Sequence, residues 1–251
     1  MALLRYHRAM EFRDTHIIIT GASAGIGREL ARIYAGEGHL VGVTGRRHDL
    51  LYSLQLEFPN HIVTECFDVT SPKSIAHLQS LIEKMEGLDM LIYNAGYGDV
   101  SDVLDWKIDR ETVDVNVNGF IAITHYAFQY FVLHGGGQLA TTSSIASIRG
   151  NSHAPAYSAS KAFQSIYFEG LYMKAKKAGW PVHISDIQPG FVDTRMAKGE
   201  KRFWVSSPEK AARQIVEALR KRKWRAYITR RWWLVAKLAK WMPGSVYHRI
   251  G

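Results

Sequence analysis

Short runs of apolar, often β-branched residues alternate along most of the chain with longer segments in which apolar residues recur at helical spacing. Such alternation is typical of βαβ units. Most of the short runs are continuously apolar, which predicts strands buried on both faces of a parallel sheet. The predicted strands cover 15–20, 40–44, 61–66, 89–93, 137–142, 183–187 and 225–229.

Helical spacing predicts one helix in every gap between these strands. Ser207 followed by Pro208 is a clear helix start, because the hydroxyl can cap the first turn and proline suits the first helical position. The elements together predict a single-domain α/β fold, a doubly wound Rossmann-type parallel sheet of about seven strands with helices on both faces. The predicted helices cover 25–37, 48–58, 72–85, 109–133, 156–177 and 208–222.

Composition agrees with this fold and removes several classes of function. The 251 residues are 47% hydrophobic and 22% charged, as in one globular domain. The single cysteine, Cys66, excludes an internal disulfide and multi-cysteine zinc or iron–sulfur sites, and the histidines lack metal-site spacing, so no metal is expected. Neither a secretory segment nor an apolar run of about 18 residues is visible, which favours a cytoplasmic protein.

The net charge of +9 is concentrated at the C-terminal end, where residues 198–251 hold 15 Lys or Arg against three Glu. Within it, 230–251 is a basic and aromatic segment. A helix over 230–242 would reach only about 20 Å, too short for a hydrocarbon core of roughly 30 Å. It could lie on an anionic membrane surface, or pack into a subunit interface or over a substrate cleft. No nucleic-acid motif accompanies the charge, so no nucleic acid is expected. The polar stripe of this helix would consist of Arg230, Trp233, Lys237 and Lys240.

A glycine-rich turn follows the first predicted strand, with Gly21, Gly25 and Gly27 placed where the chain must turn into a helix. Such a turn presents backbone N–H groups and a helix N-terminus, which suits a pyrophosphate. The spacing is G-x-x-x-G-x-G, which differs from the usual dinucleotide fingerprint and from a Walker loop. A tight turn without a ligand is the alternative.

The same segment also matches the G-x-S-x-G nucleophile elbow, so a serine hydrolase that uses Ser23 is a rival interpretation. The segment His134-Gly135-Gly136-Gly137 would then resemble an oxyanion-hole loop. The order argues against this, because in hydrolases the glycine-rich segment precedes the elbow, whereas here it follows by more than 100 residues. We therefore interpret 134–137 as a helix stop and loop.

Arg46 and Arg47 follow Gly45 at the end of the second predicted strand, where a dinucleotide fold recognises the adenosine ribose. A site that prefers NAD would have a carboxylate at this position, which binds the ribose 2′-hydroxyl. The planar, forked guanidinium of arginine suits a 2′-phosphate instead. The sequence therefore predicts that NADP(H) is preferred over NAD(H). The alternative is that these arginines only solvate the start of a helix.

Tyr157 and Lys161 lie four residues apart and would share one face of a predicted helix. A neighbouring ammonium would lower the pKa of the tyrosine, so the pair could exchange a proton with an alcohol or carbonyl oxygen. Ser144 follows the predicted strand 137–142, and its hydroxyl could hold the same oxygen.

The glycine-rich turn, Ser144 and the Tyr157–Lys161 pair occur in the order found in the classical short-chain dehydrogenase/reductase family. The chain resembles this family from about residue 15 to residue 194. The resemblance implies a catalytic tetrad in which Tyr157 is the acid/base and Ser144 orients the substrate oxygen. Lys161 would hold the nicotinamide ribose and tune Tyr157, while Asn116 would anchor a water that links Lys161 to solvent. The matching segments are 20–27, 68–69, 94–96, 115–119, Ser144, 157–161 and 189–194.

The same resemblance implies the cofactor contacts. Asp68 and Val69 would border the adenine, 94–96 would pass under the cofactor, and Thr194 would meet the carboxamide. Tyr93 departs from the pattern, since many members have a second Asn there. The expected cofactor-binding residues are Gly21, Ser23, Gly25, Ile26, Gly27, Arg46, Arg47, Asp68, Val69, Asn94, Ala95, Gly96, Tyr157, Lys161, Pro189, Gly190, Val192 and Thr194.

The expected protein is thus an NADP(H)-dependent oxidoreductase that interconverts a carbonyl and a secondary alcohol. Its domain would cover 15–229, with a substrate lid near 194–207 and a short N-terminal arm, 1–14, in which Met10 is an alternative start. The resemblance implies a homodimer or homotetramer. Membrane contact by 230–251 would favour a hydrophobic, lipid-like substrate. A catalytically silent dinucleotide-binding sensor or scaffold remains the alternative of a different class.

Overall fold

The computed structural model describes residues 15–194 and 203–248. Its centre is a seven-stranded parallel sheet with the order β3-β2-β1-β4-β5-β6-β7. The order reverses between β1 and β4, which in open α/β sheets marks the place where ligands bind at the carboxyl ends of the strands. The strands are β1 (His16–Thr20), β2 (Leu40–Gly45), β3 (Ile62–Cys66), β4 (Met90–Tyr93), β5 (Gly137–Thr142), β6 (Val182–Pro189) and β7 (Arg225–Ile228).

Helices cover both faces of the sheet, because successive strand residues point to opposite sides. Ile17 and Ile19 of β1 belong to one apolar cluster, whereas Ile18 belongs to the cluster on the opposite face. All three are almost fully buried, and burial of each such side chain stabilises the fold by about 1.5–3 kcal/mol. The helices are α1 (Gly25–Gly36), α2 (His48–Glu57), α3 (Ser74–Lys84), α4 (Trp106–Val113), α5 (Phe120–Leu133), α6 (Pro155–Ala178), α7 (Pro208–Arg220), α8 (Trp232–Trp241) and α9 (Gly244–Tyr247).

The predicted Rossmann-type fold is confirmed, and most bounds agree within two residues. The start of α7 is also confirmed, because the Ser207 hydroxyl accepts a hydrogen bond from the Lys210 N–H and Pro208 is the first helical residue. The predicted arm, 1–14, lies outside the described residues, as does 195–202 within the predicted lid.

One helix prediction is right in extent but misses a change of helix type. The segment 109–133 is helical throughout, but α4 and α5 are joined by a π-helical segment, Asp114–Gly119, in which i to i+5 hydrogen bonds widen the backbone. Gly119 lies against Val69, where a Cβ would come within 2.9 Å of the valine side chain and carbonyl oxygen. The widened turn therefore seats closely on the chain that follows β3.

The predicted C-terminal helix is present as α8 and packs beside β7. Trp232 and Ala236 form its buried side, whereas Trp233 of the predicted stripe is exposed and has Lys237 over its ring. The Trp232 indole meets an aromatic cluster made of Phe191, Phe203 and Trp204. No helix in the described part of the chain is long and apolar enough to cross a membrane.

Candidate active site

The glycine turn between β1 and α1 fits tightly against the end of β4. Gly21 has a φ of +68°, and a Cβ there would come within 2.7 Å of the Ala95 Cα atom. A Cβ on Gly27 would lie 2.5 Å from the Asn94 Nδ2 atom. The turn therefore tolerates no side chain at either glycine.

Hydrogen bonds fix this contact. The Thr20 hydroxyl oxygen accepts from the N–H groups of Asn94 and Ala95, both at 3.1 Å, and the Asn94 amide donates to the Gly21 carbonyl at 3.2 Å. These bonds join the carboxyl ends of β1 and β4. Thr20 was missed as a site residue because its role depends on β4, which lies more than 70 positions away.

The start of α1 fits a pyrophosphate. Its cap residue, Ala24, has no side-chain oxygen that could accept from the first turn, and the first N–H groups of a helix have no partner within the helix. An anion at this helix start would satisfy them and interact favourably with the helix dipole. Thr194 lies at the same place, since its methyl group is 3.1 Å from the Cβ position of Gly25.

The two predicted arginines lie at the carboxyl end of β2. Arg47 donates from Nη2 and Nε to the Ser23 hydroxyl oxygen at 2.6 and 3.2 Å. Arg46 is 58% exposed and places Nη1 at 3.6 Å from Asp68 Oδ2 and 3.5 Å from Glu111 Oε1. Arg46 and Asp68, the predicted adenine neighbour, thus line a cavity of about 290 Å³, whereas Arg47 is held by Ser23 of the glycine turn.

Ser23 has none of the partners that a hydrolase nucleophile needs. Its hydroxyl binds an arginine rather than a histidine. The segment 134–137 precedes β5 and therefore lies at the amino ends of the strands, whereas Ser23 lies at their carboxyl ends. His134 stacks on Tyr130 and bonds its carbonyl oxygen. This geometry does not fit the serine-hydrolase alternative.

Ser144, Tyr157 and Lys161 come together beyond the carboxyl end of β5. Ser144 caps the short 3₁₀ turn Ile145–Ser147, and its hydroxyl forms a hydrogen bond with Tyr157. Tyr157 and Lys161 share one face of α6, with the Lys161 Nζ atom 5.8 Å from the centre of the phenol ring. Ser143 points the other way and donates its single O–H to Asp186, while the Ile187 carbonyl lies 3.1 Å from the same hydroxyl oxygen.

The pKa of Tyr157 differs from the expectation. Burial raises the pKa of its phenol, and the hydrogen bond with Ser144 only partly opposes that rise. Lys161 does not lower it, because burial also lowers the pKa of Lys161 to about 7, against the attraction of the buried Asp186 carboxylate. The Tyr157 hydroxyl is therefore protonated at neutral pH.

Asn116 lies in the π-helical segment and is fully buried. Its side chain donates to the carbonyl of Tyr97 at 2.7 Å and to the Ser160 hydroxyl at 3.0 Å, and accepts from the Tyr97 N–H at 2.9 Å. Its backbone carbonyl accepts from the Gln164 amide at 2.9 Å. Gln164 was not among the predicted site residues, and no family motif includes it in this sequence.

Two further contacts close the site around Tyr157. A Cβ on Gly98 would lie 2.3 Å from the phenol ring, so the loop after β4 packs directly on Tyr157. Tyr93, which departs from the family pattern, is fully buried and donates its hydroxyl to the Val115 carbonyl at 2.7 Å. That bond ties the end of β4 to the π-helical segment.

The remaining predicted segment, 189–194, continues from β6 along the same edge. Val192 is buried and pairs with Ser206. The Cβ position of Gly190 faces the Trp232 indole, at 2.1 Å, rather than the glycine turn. Within 15–194 and 203–248, no group of three or more His, Cys, Asp or Glu residues is arranged to hold a metal ion.

A sequence model described as short chain dehydrogenase matches residues 15–203, well over half of the chain. The chain belongs to the short-chain dehydrogenase family. An uncharacterized oxidoreductase of Myxococcus xanthus is 35% identical over 185 residues, which cover 71% of this chain and 72% of that protein. An NADP-dependent 3-hydroxy acid dehydrogenase of Salmonella typhi is 30% identical over 183 residues, which cover 70% and 72%.

Solved short-chain dehydrogenases share the fold. One from Burkholderia cenocepacia, in complex with NADP, matches with a TM-score of 0.82 at 20% identity over 96% of this chain and 99% of that one. One from Burkholderia phymatum, in complex with NAD, gives a TM-score of 0.81 at 19% identity over 91% and 93%. At such identities the likeness establishes the Rossmann-type architecture of this short-chain dehydrogenase and nothing finer.

The contact at Gly21 yields a stability prediction. Gly21→Ala adds a Cβ to a left-handed backbone and also drives it into the Ala95 backbone. Left-handed strain alone costs roughly 1–2 kcal/mol, so we expect the loss of unfolding free energy in urea to exceed that amount. Gly38→Ala is the matched control, because Gly38 has a φ of +89° with nothing within 4 Å of its Cβ position. Equal losses in the two variants would contradict the close approach.

Proposed function

We propose that this short-chain dehydrogenase interconverts a carbonyl and a secondary alcohol with NADP(H), using Tyr157 as the acid/base. The meeting of Ser144, Tyr157 and Lys161 at the strand ends, beside the glycine turn, carries the proposal. A hydroxyl, a phenol and an ammonium in one partly closed site are the groups needed to hold an oxygen and move a proton to it. On the same observation we propose that these three residues and Asn116 form the catalytic tetrad.

The chemistry follows from these positions. In the reductive direction the Ser144 hydroxyl donates a hydrogen bond to the substrate carbonyl oxygen, and the protonated Tyr157 hydroxyl gives its proton to that oxygen. In the oxidative direction Tyr157 takes the proton from the alcohol, which requires its phenolate form. A nicotinamide cofactor bound with its pyrophosphate at the glycine turn would supply the hydride to the carbonyl carbon. The raised pKa of Tyr157 keeps its hydroxyl in the protonated form that the reductive direction requires at neutral pH.

The proposed cofactor site runs along the carboxyl edge from β2 to β6. The first turn of α1 would hold the pyrophosphate, and Arg46 and Arg47 would hold a 2′-phosphate. Support for NADP(H) over NAD(H) comes from these arginines and from the NADP-dependent dehydrogenase of Salmonella typhi. The proposed contacts are Gly21, Ser23, Gly25, Ile26, Gly27, Arg46, Arg47, Asp68, Val69, Asn94, Ala95, Gly96, Tyr157, Lys161, Pro189, Gly190, Val192 and Thr194.

We also propose that the exposed face of α8 contacts an anionic lipid surface and that the substrate is hydrophobic. That face carries Trp233, Leu234, Leu238 and Trp241, with Trp241 79% exposed, next to the exposed Lys237 and Lys240. Apolar residues beside lysines suit the headgroup region of a membrane. The aromatic cluster around Trp232 adjoins the chain that leaves β6, which supports an apolar substrate.

The proposed enzyme is cytoplasmic and works as a homodimer or homotetramer. Cys66 is a free, exposed thiol, which suits a reducing compartment. Ile166 and Met173 are exposed on α6, seven residues apart and so on one face of the helix. An apolar stripe of this kind supports a subunit contact along α6.

Tyr157→Phe tests the acid/base. Removal of the hydroxyl removes the proton donor, so we expect kcat for carbonyl reduction to fall by roughly 10²–10⁴-fold, measured as NADPH oxidation at 340 nm with a panel of aldehydes and ketones. Tyr172→Phe on the same helix is the control, since that ring stacks on Trp224 away from the site. Retained turnover in Tyr157→Phe would refute the assignment. Absence of turnover in the unmodified protein would favour the sensor.

Arg46→Ala tests the cofactor preference. Loss of the guanidinium should raise the dissociation constant of NADPH by roughly tenfold or more, as expected for a lost charge-assisted hydrogen bond, while that of NADH changes little. Fluorescence titration of both cofactors measures this. Lys177→Ala removes an exposed positive charge near the end of α6, at the opposite edge of the sheet, and controls for general electrostatics. Equal losses for both cofactors would remove the NADP(H) assignment.

Trp233→Ala combined with Trp241→Ala tests the lipid contact. We expect the fraction of protein that sediments with phosphatidylserine-containing vesicles to fall roughly fivefold, because each indole contributes apolar burial at the interface. Leu133→Ala removes an exposed apolar side chain at the opposite edge of the sheet and should leave sedimentation unchanged. Unchanged sedimentation in the double variant would assign the face of α8 to a subunit contact instead.

A further inference from the structure

Gln164 lies on α6 three residues after Lys161 and is fully buried. Its Oε1 atom accepts a hydrogen bond from the Lys161 Nζ atom at 3.0 Å, and its Nε2 atom donates to the Asn116 carbonyl at 2.9 Å. The orientation of the amide is determined by these partners, because an ammonium only donates and a carbonyl only accepts. One side chain thus bridges the lysine and the π-helical segment.

The Lys161 ammonium has three N–H groups, and the protein engages two of them. The Thr142 carbonyl at the end of β5 accepts one at 2.9 Å, and Gln164 accepts the second. The third remains for the side on which the Tyr157 ring lies, 5.8 Å away. The two hydrogen bonds hold the ammonium from two directions. They therefore also set the direction of its third N–H group.

We propose that Gln164 is a positioning residue that fixes Lys161 by bridging it to Asn116, in the place where the family resemblance implies a water. The inference rests on the proposed function, since it concerns the proton supply of that reaction. A neutral amide does not relay a proton here, because its oxygen carries no hydrogen and its nitrogen offers no free acceptor.

The charge state of Lys161 should respond directly to Gln164. Burial holds the pKa of Lys161 to about 7, and the Asp186 carboxylate on β6 favours the ammonium. The Tyr157 phenol, one turn earlier on α6, is the other titratable group that faces it. Among the described residues, α4 and the π-helical segment also pack on α6 but put no charge within range of the Lys161 ammonium.

Two substitutions should move the Lys161 titration in opposite directions. Gln164→Leu removes the acceptor that stabilises the ammonium, so the titration midpoint should fall by about one pH unit. Gln164→Glu places a carboxylate beside the ammonium, so the midpoint should rise by about one unit or more. If Gln164 only filled space, the Gln164→Leu midpoint would stay unchanged. The Gln164→Glu midpoint would rise in either case, so it serves to show that a charge at position 164 reaches Lys161.

The test uses the full chain labelled with ¹⁵N-lysine, with the Lys161 Nζ resonance assigned by its loss in Lys161→Ala. The matched control is Gln138→Leu, because Gln138 is a buried glutamine that also bonds two partners, Ser185 and the Leu219 carbonyl, outside the site. Its Lys161 midpoint should equal that of the unmodified protein. A Gln164→Leu midpoint equal to that of the unmodified protein, or one that rises as in Gln164→Glu, would overturn the proposal.

A kinetic measurement separates this inference from the proposed function. The rate of NADPH oxidation in mixtures of H₂O and D₂O should depend linearly on the deuterium fraction in the unmodified protein, because a single proton moves from Tyr157. Gln164→Ala makes room for water between Lys161 and Asn116, and its dependence should become curved as more protons move together. A curved dependence in the unmodified protein would overturn the proposal. Absence of NADPH oxidation would instead refute the proposed function, while the Nζ titration still tests Gln164.

Discussion

The close approach of Gly21 to the backbone of Ala95 is the contact on which the whole site depends. It brings the carboxyl ends of β1 and β4 together at the point where the strand order reverses, and the Thr20 hydroxyl holds both backbone amides there. The start of α1 then faces the same edge of the sheet as α6 and the π-helical segment. Because an added methyl group would collide with main chain rather than with a flexible side chain, the neighbours cannot adjust by rotamer changes.

Beneath this edge lies a buried polar network that sets the charges of the site. Asp186 is completely buried and accepts from Ser143, Ser165 and Gln188, and it forms an ion pair with Arg225. A carboxylate in the interior is stable only with such partners. It is also the charge that favours the Lys161 ammonium. Asp186 accepts from Ser165 of α6, so this network and the Tyr157–Lys161 pair lie on the same face of the sheet.

The sequence was sufficient wherever one contiguous pattern carries the information. The apolar runs predict the strands, and the glycine spacing places the turn before α1. It was insufficient where a feature depends on residues far apart in the chain. Gln164 looks like any polar residue of a long helix until Asn116, 48 positions earlier, is seen to accept its amide. The π-helical segment was also missed, because the apolar spacing of 109–133 does not distinguish i to i+5 from i to i+4 hydrogen bonds. The pKa of Tyr157 was expected to fall because Lys161 is four residues away. Burial raises it instead, and burial has no signature in the spacing of two residues.

The packing of Trp232 links the C-terminal helix α8 to the carboxyl edge of the sheet, where the cofactor site is proposed. Its indole lies over Gly190, where even a methyl group would collide with it, so the space above the end of β6 is shared by two segments more than 40 positions apart. A larger residue in place of Gly190 would fit only if a smaller residue replaced Trp232. Helix α8 therefore cannot change freely at this contact without regard to the end of β6, which it covers. A redesign of this part of the protein has to treat the two segments as one unit.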